Sequence, residues 1–364
     1  MERQSQRGMW MRGDTIARGN FGTVSLATAK QKANKRRNHL PPLMAVKWAE
    51  VSHSGTIQKE REILTRLEGC PHILRCYGDE ITRENGELTY NVLLEYASGG
   101  SLASRIKNSH GGLPEADVRR YTRSILQGLH HIHDRGYVHC DIKPQNILLV
   151  LCSSSSLDTS HNDYVAKVAD FGSAKNTMRE QRKRKNKRQA WSLRGTPLYM
   201  SPESVARKEQ EAPSDIWALG CVVAEMISGK PAWNCESDMD VDELLSLIGS
   251  STEFPETPSK MSKEGKDFLK RCFVRTSMFR WTAAMLLHHP FVSEDTDNTK
   301  EAESVQVQTA PDLANDTKVQ LSVSIVEESA VGGQKRRRIN DSDEPSIGDD
   351  SLKPVSKASG SLVL

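Results

Sequence analysis

The stretch YVHCDIKPQNILL, Tyr137–Leu149, decides how this chain is read. Within it His139, Asp141, Lys143 and Asn146 stand at the spacing H-x-D-x-K-x-x-N, and Asp170-Phe171-Gly172 follow in VADFGSAK, 24 residues after Asn146. The set joins a carboxylate able to take a proton to a lysine able to neutralise a moving anion. It also brings an amide and a second carboxylate, whose oxygens suit a hard divalent ion. Directly before Asp141 sits Cys140, a small and weakly polar side chain that can do none of these things.

Working outward, 364 residues with 37% hydrophobic and 27% charged side chains suit a soluble globular protein of two domains plus tails. The net charge of +3 conceals an asymmetry: from Ser293 onward there are 14 Asp/Glu against 8 Lys/Arg, and no Phe, Trp or Tyr. A segment so poor in large apolar groups cannot offset the entropy of ordering itself, so 293–364 is expected to be a disordered acidic tail. The seven cysteines are scattered and never form C-x-x-C, which argues against a disulfide framework or zinc ribbon and for a reducing compartment. The polar start lacks a signal-peptide core, Glu2 in place of glycine excludes myristoylation, and no apolar run approaches membrane-spanning length. An intracellular, soluble protein is expected.

The first hundred residues read as short strands around one helix: MRGDTIARG, GTVSLATA, LMAVKWAE and ELTYNVLLEY. A basic loop, KQKANKRRNHLPP, parts the second from the third. The helix is predicted at about Thr56–Leu67, with Ile57, Glu60, Leu64 and Leu67 on one face. After YASGGSL the pattern turns helical. Pro114 opens a long helix through Val118, Tyr121, Ile125, Leu129 and Ile132, stopped by Gly136, and further helices are predicted near 214–229, 262–274 and 281–288. This is an α+β arrangement: a small β-rich lobe, a larger α-helical lobe, and a cleft between them. Two inserts interrupt it, the low-complexity LCSSSSLDTSHND and the basic MREQRKRKNKRQ.

Phosphoryl transfer from ATP requires a cover for the phosphates, a cation on them, metal ligands and an acceptor for the hydroxyl proton. All four are present in order. IARGNFGTV, Ile16–Val24, lies between two strands, with Gly19 and Gly22 allowing close backbone approach and Ala17 where a first glycine would be expected. Lys47 falls on the next strand; alone it would read as a solvated lysine, and its neighbours change that. Glu60 and Glu62 are both candidates to pair with it. Glu60 shares the inward helix face, whereas Glu62 lies about 200° away at ~100° per residue, so Glu60 is preferred. Asp141 would orient the substrate hydroxyl and accept its proton, Lys143 would neutralise the phosphoryl group, and Asn146 and Asp170 would ligate Mg²⁺.

By these motifs, the region from about Trp10 to Val292 resembles a eukaryotic protein kinase domain. The resemblance implies a bilobal fold with an N-lobe over about 10–96, a C-lobe over about 98–292 and one regulatory helix. GTPLYMSPE, Gly195–Glu203, resembles the end of the activation segment, SDIWALGCVVAEMISGKPAW, Ser214–Trp233, the buried helix behind it, and Arg280 is placed to pair with Glu203. Lys143 with Thr196 resembles the serine/threonine class. PLMAVK, LLEYASGGSLASRI, VRRYTRSILQGLHHIH and VHCDIKPQN resemble the plant mitogen-activated protein kinase kinase kinases of the MEKK-like group. The resemblance implies activation-loop Ser/Thr of MAP kinase kinases as substrate, in stress or hormone signalling. It further implies an adenine pocket formed by Ile16, Ala17, Val24, Ala45 and the backbone of Glu95 and Ala97, with Leu94 at its back.

In such kinases an arginine before the catalytic aspartate commonly meets an activation-segment phosphate. Cys140 cannot, so activity is expected to depend less on that phosphate. The basic run Arg179–Arg188 is a candidate replacement, and Thr177, Ser192 and Thr196 are the hydroxyls open to modification, Thr196 being expected instead to contact Asp141 and Lys143. In the tail, Lys335, Arg336, Arg337 and Arg338 suggest importin binding and a nuclear as well as cytoplasmic location, and VQLSVSIV, Val319–Val326, alternates like a strand. Two rival readings remain. A pseudokinase scaffold would have been favoured by loss of Lys47, Asp141 or Asp170, all of which are present. A nucleic-acid binder rests on charge runs without stacking aromatics.

Overall fold

In the computed structural model the smaller lobe is built on an antiparallel five-stranded sheet: β1 Trp10–Gly19, β2 Gly22–Ala29, β3 Leu43–Glu50, β4 Cys76–Glu84 and β5 Glu87–Leu94, in the order β1-β2-β3-β5-β4. The structure describes residues 9–19, 22–30, 40–84, 86–152, 164–177, 193–234, 239–250 and 252–293. Several expectations lie outside them: the basic loop around 31–39, most of the serine-rich insert, the Arg179–Arg188 run, Ser192, and the tail with Val319–Val326 and Lys335–Arg338. Among the described residues no helix is long and apolar enough to cross a membrane.

Four strands were expected here and five are present. The extra one, β4, is an edge strand, so it buries little and shows almost no apolar alternation, and Gly78 sits at a break in its register. Between β3 and β4 lies α1, Gly55–Arg66, which turns Ile57, Glu60, Ile63 and Leu64 inward. A carboxylate on that buried face demands a partner from the sheet.

The larger lobe begins with α2, Leu102–Lys107, whose Ser101 cap accepts from the Ser104 N–H. The long α3, Glu115–Asp134, carries Glu115 and Asp117 in its first turn, where negative charge suits the helix dipole. Its apolar stripe is buried, and Gly136 takes the left-handed backbone (φ 70°) that the chain needs to turn away. Four short strands follow: β6 Tyr137–Val138, β7 Ile147–Leu151, β8 Tyr164–Val168 and β9 Lys175–Asn176, pairing β7 with β8 and β6 with β9. These two small ladders present the Tyr137–Leu149 stretch and the Asp170 turn to the cleft.

Behind them are α4 Pro202–Arg207, α5 Ala212–Ser228, α6 Val241–Ser250, α7 Lys263–Cys272 and α8 Ala283–Leu286. Helix α5 is apolar nearly all round and correspondingly buried, the pattern of a central core helix. The 281–288 prediction shortens to the four residues of α8, because His288 and His289 donate to Met285 and Leu286 in tighter i→i+3 turns. Helices α2, α4 and α6 were not foreseen; α2 and α4 span only six residues each, too short to build a clear periodic stripe.

Candidate functional site

On β3, Lys47 is buried, with its Nζ 2.6 Å from Glu60 Oε2 and 3.0 Å from Asp170 Oδ1. Of the two glutamates on α1, Glu60 is thus the one that reaches the lysine; Glu62 pairs with Arg66 on the surface. Burial by itself would lower the Lys47 ammonium, but Glu60 and Asp170 overcome it and hold the lysine above its ordinary value. Burial would raise Asp170, yet Lys47 beside it wins and keeps that carboxylate below its usual range. For Glu60 the balance goes the other way, and burial leaves it raised. Helix α1 also grips the turn directly: Glu60 Oε1 accepts from the Phe171 N–H at 3.3 Å, and Lys59 Nζ donates to the Gly172 carbonyl at 3.0 Å.

The second half of the site is the loop after β6. Asp141 Oδ1 accepts from Thr196 Oγ1 at 2.8 Å, and Lys143 Nζ donates to Thr196 Oγ1 at 2.8 Å and lies 3.1 Å from Asp141 Oδ2. Asn146 Nδ2 donates to both the carbonyl (2.8 Å) and the carboxylate (3.1 Å) of Asp141. With its NH₂ so engaged, the Asn146 amide leaves its oxygen for a cation. Thr196 is therefore a structural contact of the Asp141–Lys143 pair, as the resemblance implied.

His139 and Asp215 hold this loop in place, and neither was named as a site residue. His139 Nε2 donates to the Ala169 carbonyl at 3.0 Å, its Nδ1 accepts from the Asp141 N–H at 3.3 Å, and its ring meets Phe171 edge-on at 5.0 Å. Asp215, buried on α5, accepts from His133 and from the backbone N–H groups of His139 and Cys140. Burial would raise its pKa, but these donors, His133 foremost, hold it below the ordinary carboxylate value. Cys140 and Asp170 both adopt left-handed backbone (φ 67° and 62°), which costs a non-glycine residue roughly 1–2 kcal/mol each. The Asp215 bonds are part of what offsets that cost. The only cue in the sequence was an aspartate near the start of a mostly apolar helix.

A carboxylate depressed in the folded state stabilises above its unfolded pKa, about 3.9, and loses that contribution as pH falls through the lower folded value. The urea midpoint of Asp215→Asn should therefore lie below wild type at pH 7, and the gap should narrow as pH drops below 4. A gap independent of pH would refute the charge-based account.

The phosphate-covering turn joins β1 to β2. Gly19 pairs with Gly22, and Ala17 sits within β1 opposite Val24 next to a break in register. Gly22 has φ 147°, and a Cβ there would stand 2.7 Å from both the Trp48 carbonyl and Ile57. Its first job is thus close packing on β3 and α1, beyond any approach to a ligand. Ile16 is exposed, Ala45 is buried, and Val24 and Ala97 are partly buried against the main core together with Leu148.

Leu94 ends β5, and Glu95 continues the chain with its N–H on the Arg75 carbonyl and its carboxylate on Lys167 (2.8 and 2.9 Å). Among the described residues the Glu95 carbonyl and the Ala97 N–H take no other hydrogen bond. That acceptor–donor pair matches an adenine edge. A carboxylate (Asp170) and an amide oxygen (Asn146) suit Mg²⁺, and no cluster of three His, Cys, Asp or Glu occurs among the described residues. The donor set therefore fits an ion that takes its remaining ligands from phosphate and water.

A protein kinase domain model matches residues 10–292. The chain belongs to the protein kinase family. Over 290 residues it is 47% identical to mitogen-activated protein kinase kinase kinase 20 of Arabidopsis thaliana, covering 79% of this chain and 80% of the relative. Mitogen-activated protein kinase kinase kinases 18 and 17 of the same plant are 38% and 37% identical, with 77% and 70% of their lengths covered. The kinase is a serine/threonine enzyme of the plant mitogen-activated protein kinase kinase kinase type. The scaffold alternative finds no support: the kinase brings Lys47, Glu60 and Asp170 together and assembles Asp141, Lys143 and Asn146.

Cys140 is buried, its thiol facing the Val138 carbonyl at 3.6 Å, and burial pushes that thiol far above its ordinary pKa. It is inert filler at physiological pH.

Proposed function

We propose that this kinase transfers phosphate from ATP to activation-loop Ser or Thr of MAP kinase kinases, with Mg²⁺ as its divalent ion, in a stress- or hormone-responsive cascade. The observation that carries the reading is the joint contact of Asp141 and Lys143 with Thr196, together with the 47% identity to an Arabidopsis kinase named for that level of the cascade. When bound, the Mg²⁺–nucleotide complex supplies an electrophilic phosphoryl group whose negative charge must be neutralised. Lys47, steadied by Glu60, would hold the phosphates, and Asp170 and Asn146 would hold the ion. Asp141 would align the incoming hydroxyl and take its proton, while Lys143 would offset charge developing on the transferring group. The Glu95 carbonyl and Ala97 N–H would orient the base.

The test is phosphate transfer from labelled ATP to a panel of dephosphorylated plant MAP kinase kinases, with sites mapped by mass spectrometry. Incorporation at activation-loop Ser/Thr in at least one member is expected. Labelling confined to residues outside that loop, or none on any member, would sink the substrate reading.

A further inference from the structure

We propose that Gln210 and Glu211, on the loop between α4 and α5, form a built-in clasp that holds the activation segment in its working arrangement without a phosphate. The segment runs from Asp170 to Glu203. Beside it, Cys140 offers no cation, and only a small hollow bordered by Cys140, Thr196, Gln210 and Asp215 lies there instead.

Both ends of the segment are tied to this loop. At its start, Lys175 of β9 is only 5% exposed, and its Nζ lies 3.3 Å from Glu211 Oε1. A buried ammonium requires an anion, and here the chain encodes one. At its end, the Gln210 side chain acts like a neighbouring strand on Arg194. Its Nε2 donates to the Arg194 carbonyl at 2.6 Å, and its Oε1 accepts from the Arg194 N–H at 3.4 Å. Gln210 is 8% exposed, so the two bonds are shielded from water. Two-point contact fixes the rotation of the backbone as well as its position.

That position matters because the chemistry begins two residues on. Gly195 follows Arg194 with φ 104°, and a Cβ there would strike the Cys140 carbonyl, so the segment lies on the catalytic loop without slack. Thr196 comes next and contacts Asp141 and Lys143. Arg194 also closes the segment on itself, its Nη1 donating to the Ser173 carbonyl at 3.4 Å. A shift at Gln210 thus passes through Arg194 both to Thr196 and to the stretch after Asp170. Glu211 is partly exposed, so its ion pair is the weaker half of the clasp and the Gln210 amide the stronger. Both are positioning residues, since they touch only other residues of the chain.

The inference rests on the kinase assignment and not on the substrate proposed above, so its test uses a generic Ser/Thr-containing protein substrate. Full-length protein is stripped of phosphate with a phosphatase and checked by intact mass. Its initial kcat/KM should stay within threefold of the untreated protein; a larger loss would overturn the proposal. In the phosphate-free state, Gln210→Ala should lower kcat/KM for the protein substrate at least fivefold, with the affinity for nucleotide unchanged; a smaller fall would overturn it. Gln210→Glu, which keeps the bulk but turns the donor to Arg194 into an acceptor, should fall likewise and serves if the alanine variant does not fold. The charge swap Lys175→Glu with Glu211→Lys should recover activity lost in either single variant, which a merely space-filling role would not produce.

Discussion

Replacing Asp141 by Asn is expected to lower the rate of phosphoryl transfer roughly 10²–10⁴-fold, the range for loss of a positioned proton acceptor. The carboxylate is held from three sides: by Thr196 Oγ1 on one oxygen, and by Lys143 Nζ and Asn146 Nδ2 on the other. Asparagine keeps the shape but removes the charge and the basic oxygen, and it brings an NH₂ group against donors already pointing inward. The residues assigned to the nucleotide lie elsewhere, at Lys47, Glu95 and Ala97, so nucleotide affinity should change little. Initial-rate kinetics on a protein substrate, paired with calorimetric nucleotide titration, check both halves. A variant retaining more than a tenth of wild-type kcat would remove Asp141 from the reacting centre.

The second large effect is on stability. Arg280 and Glu203 form a fully buried bidentate pair, with side chains 0% and 3% exposed and bonds of 2.6 and 2.9 Å. The guanidinium also donates to the carbonyls of Val274 and Pro213 and lies 5.1 Å from the Trp217 ring centre. Arg280→Ala would leave a carboxylate and two carbonyls buried without donors, at a cost of about 3–5 kcal/mol. Arg280→Lys keeps the charge but lacks the planar fork, so it should fall between alanine and wild type. Urea unfolding of the three proteins tests this. A loss below about 1 kcal/mol in the alanine variant would mean the pair is not holding the lobe together.

Much of the reaction machinery was legible because phosphoryl transfer tolerates few side-chain types and sets them at short, rigid spacings. Asp141, Lys143 and Asn146 lie within six residues on one loop that runs directly into β7, and Asp170 stands two residues after β8, the strand paired with β7. Glu60 was distinguishable from Glu62 because a helix turns 100° per residue and only one face is apolar. Other features were hidden for equally physical reasons. An edge strand such as β4 needs no apolar alternation, and α4, six residues long, spans too few turns for a stripe to repeat. His139 was seen as part of a motif, but its work, a hydrogen bond to Ala169 and an edge contact with Phe171, is made across 30 residues.

The residues before and after the catalytic carboxylate mark the division. By itself, the amino-acid sequence determined which groups are available to move a proton and neutralise a phosphoryl group, and that Cys140 is not a cation. Only the tertiary structure decided what stands where that cation would act. Lys175 and Glu211 lie 36 residues apart, and Arg194 and Gln210 16 apart. Pairing over such distances follows from how α4, α5 and the activation segment pack, and local periodicity carries no record of it.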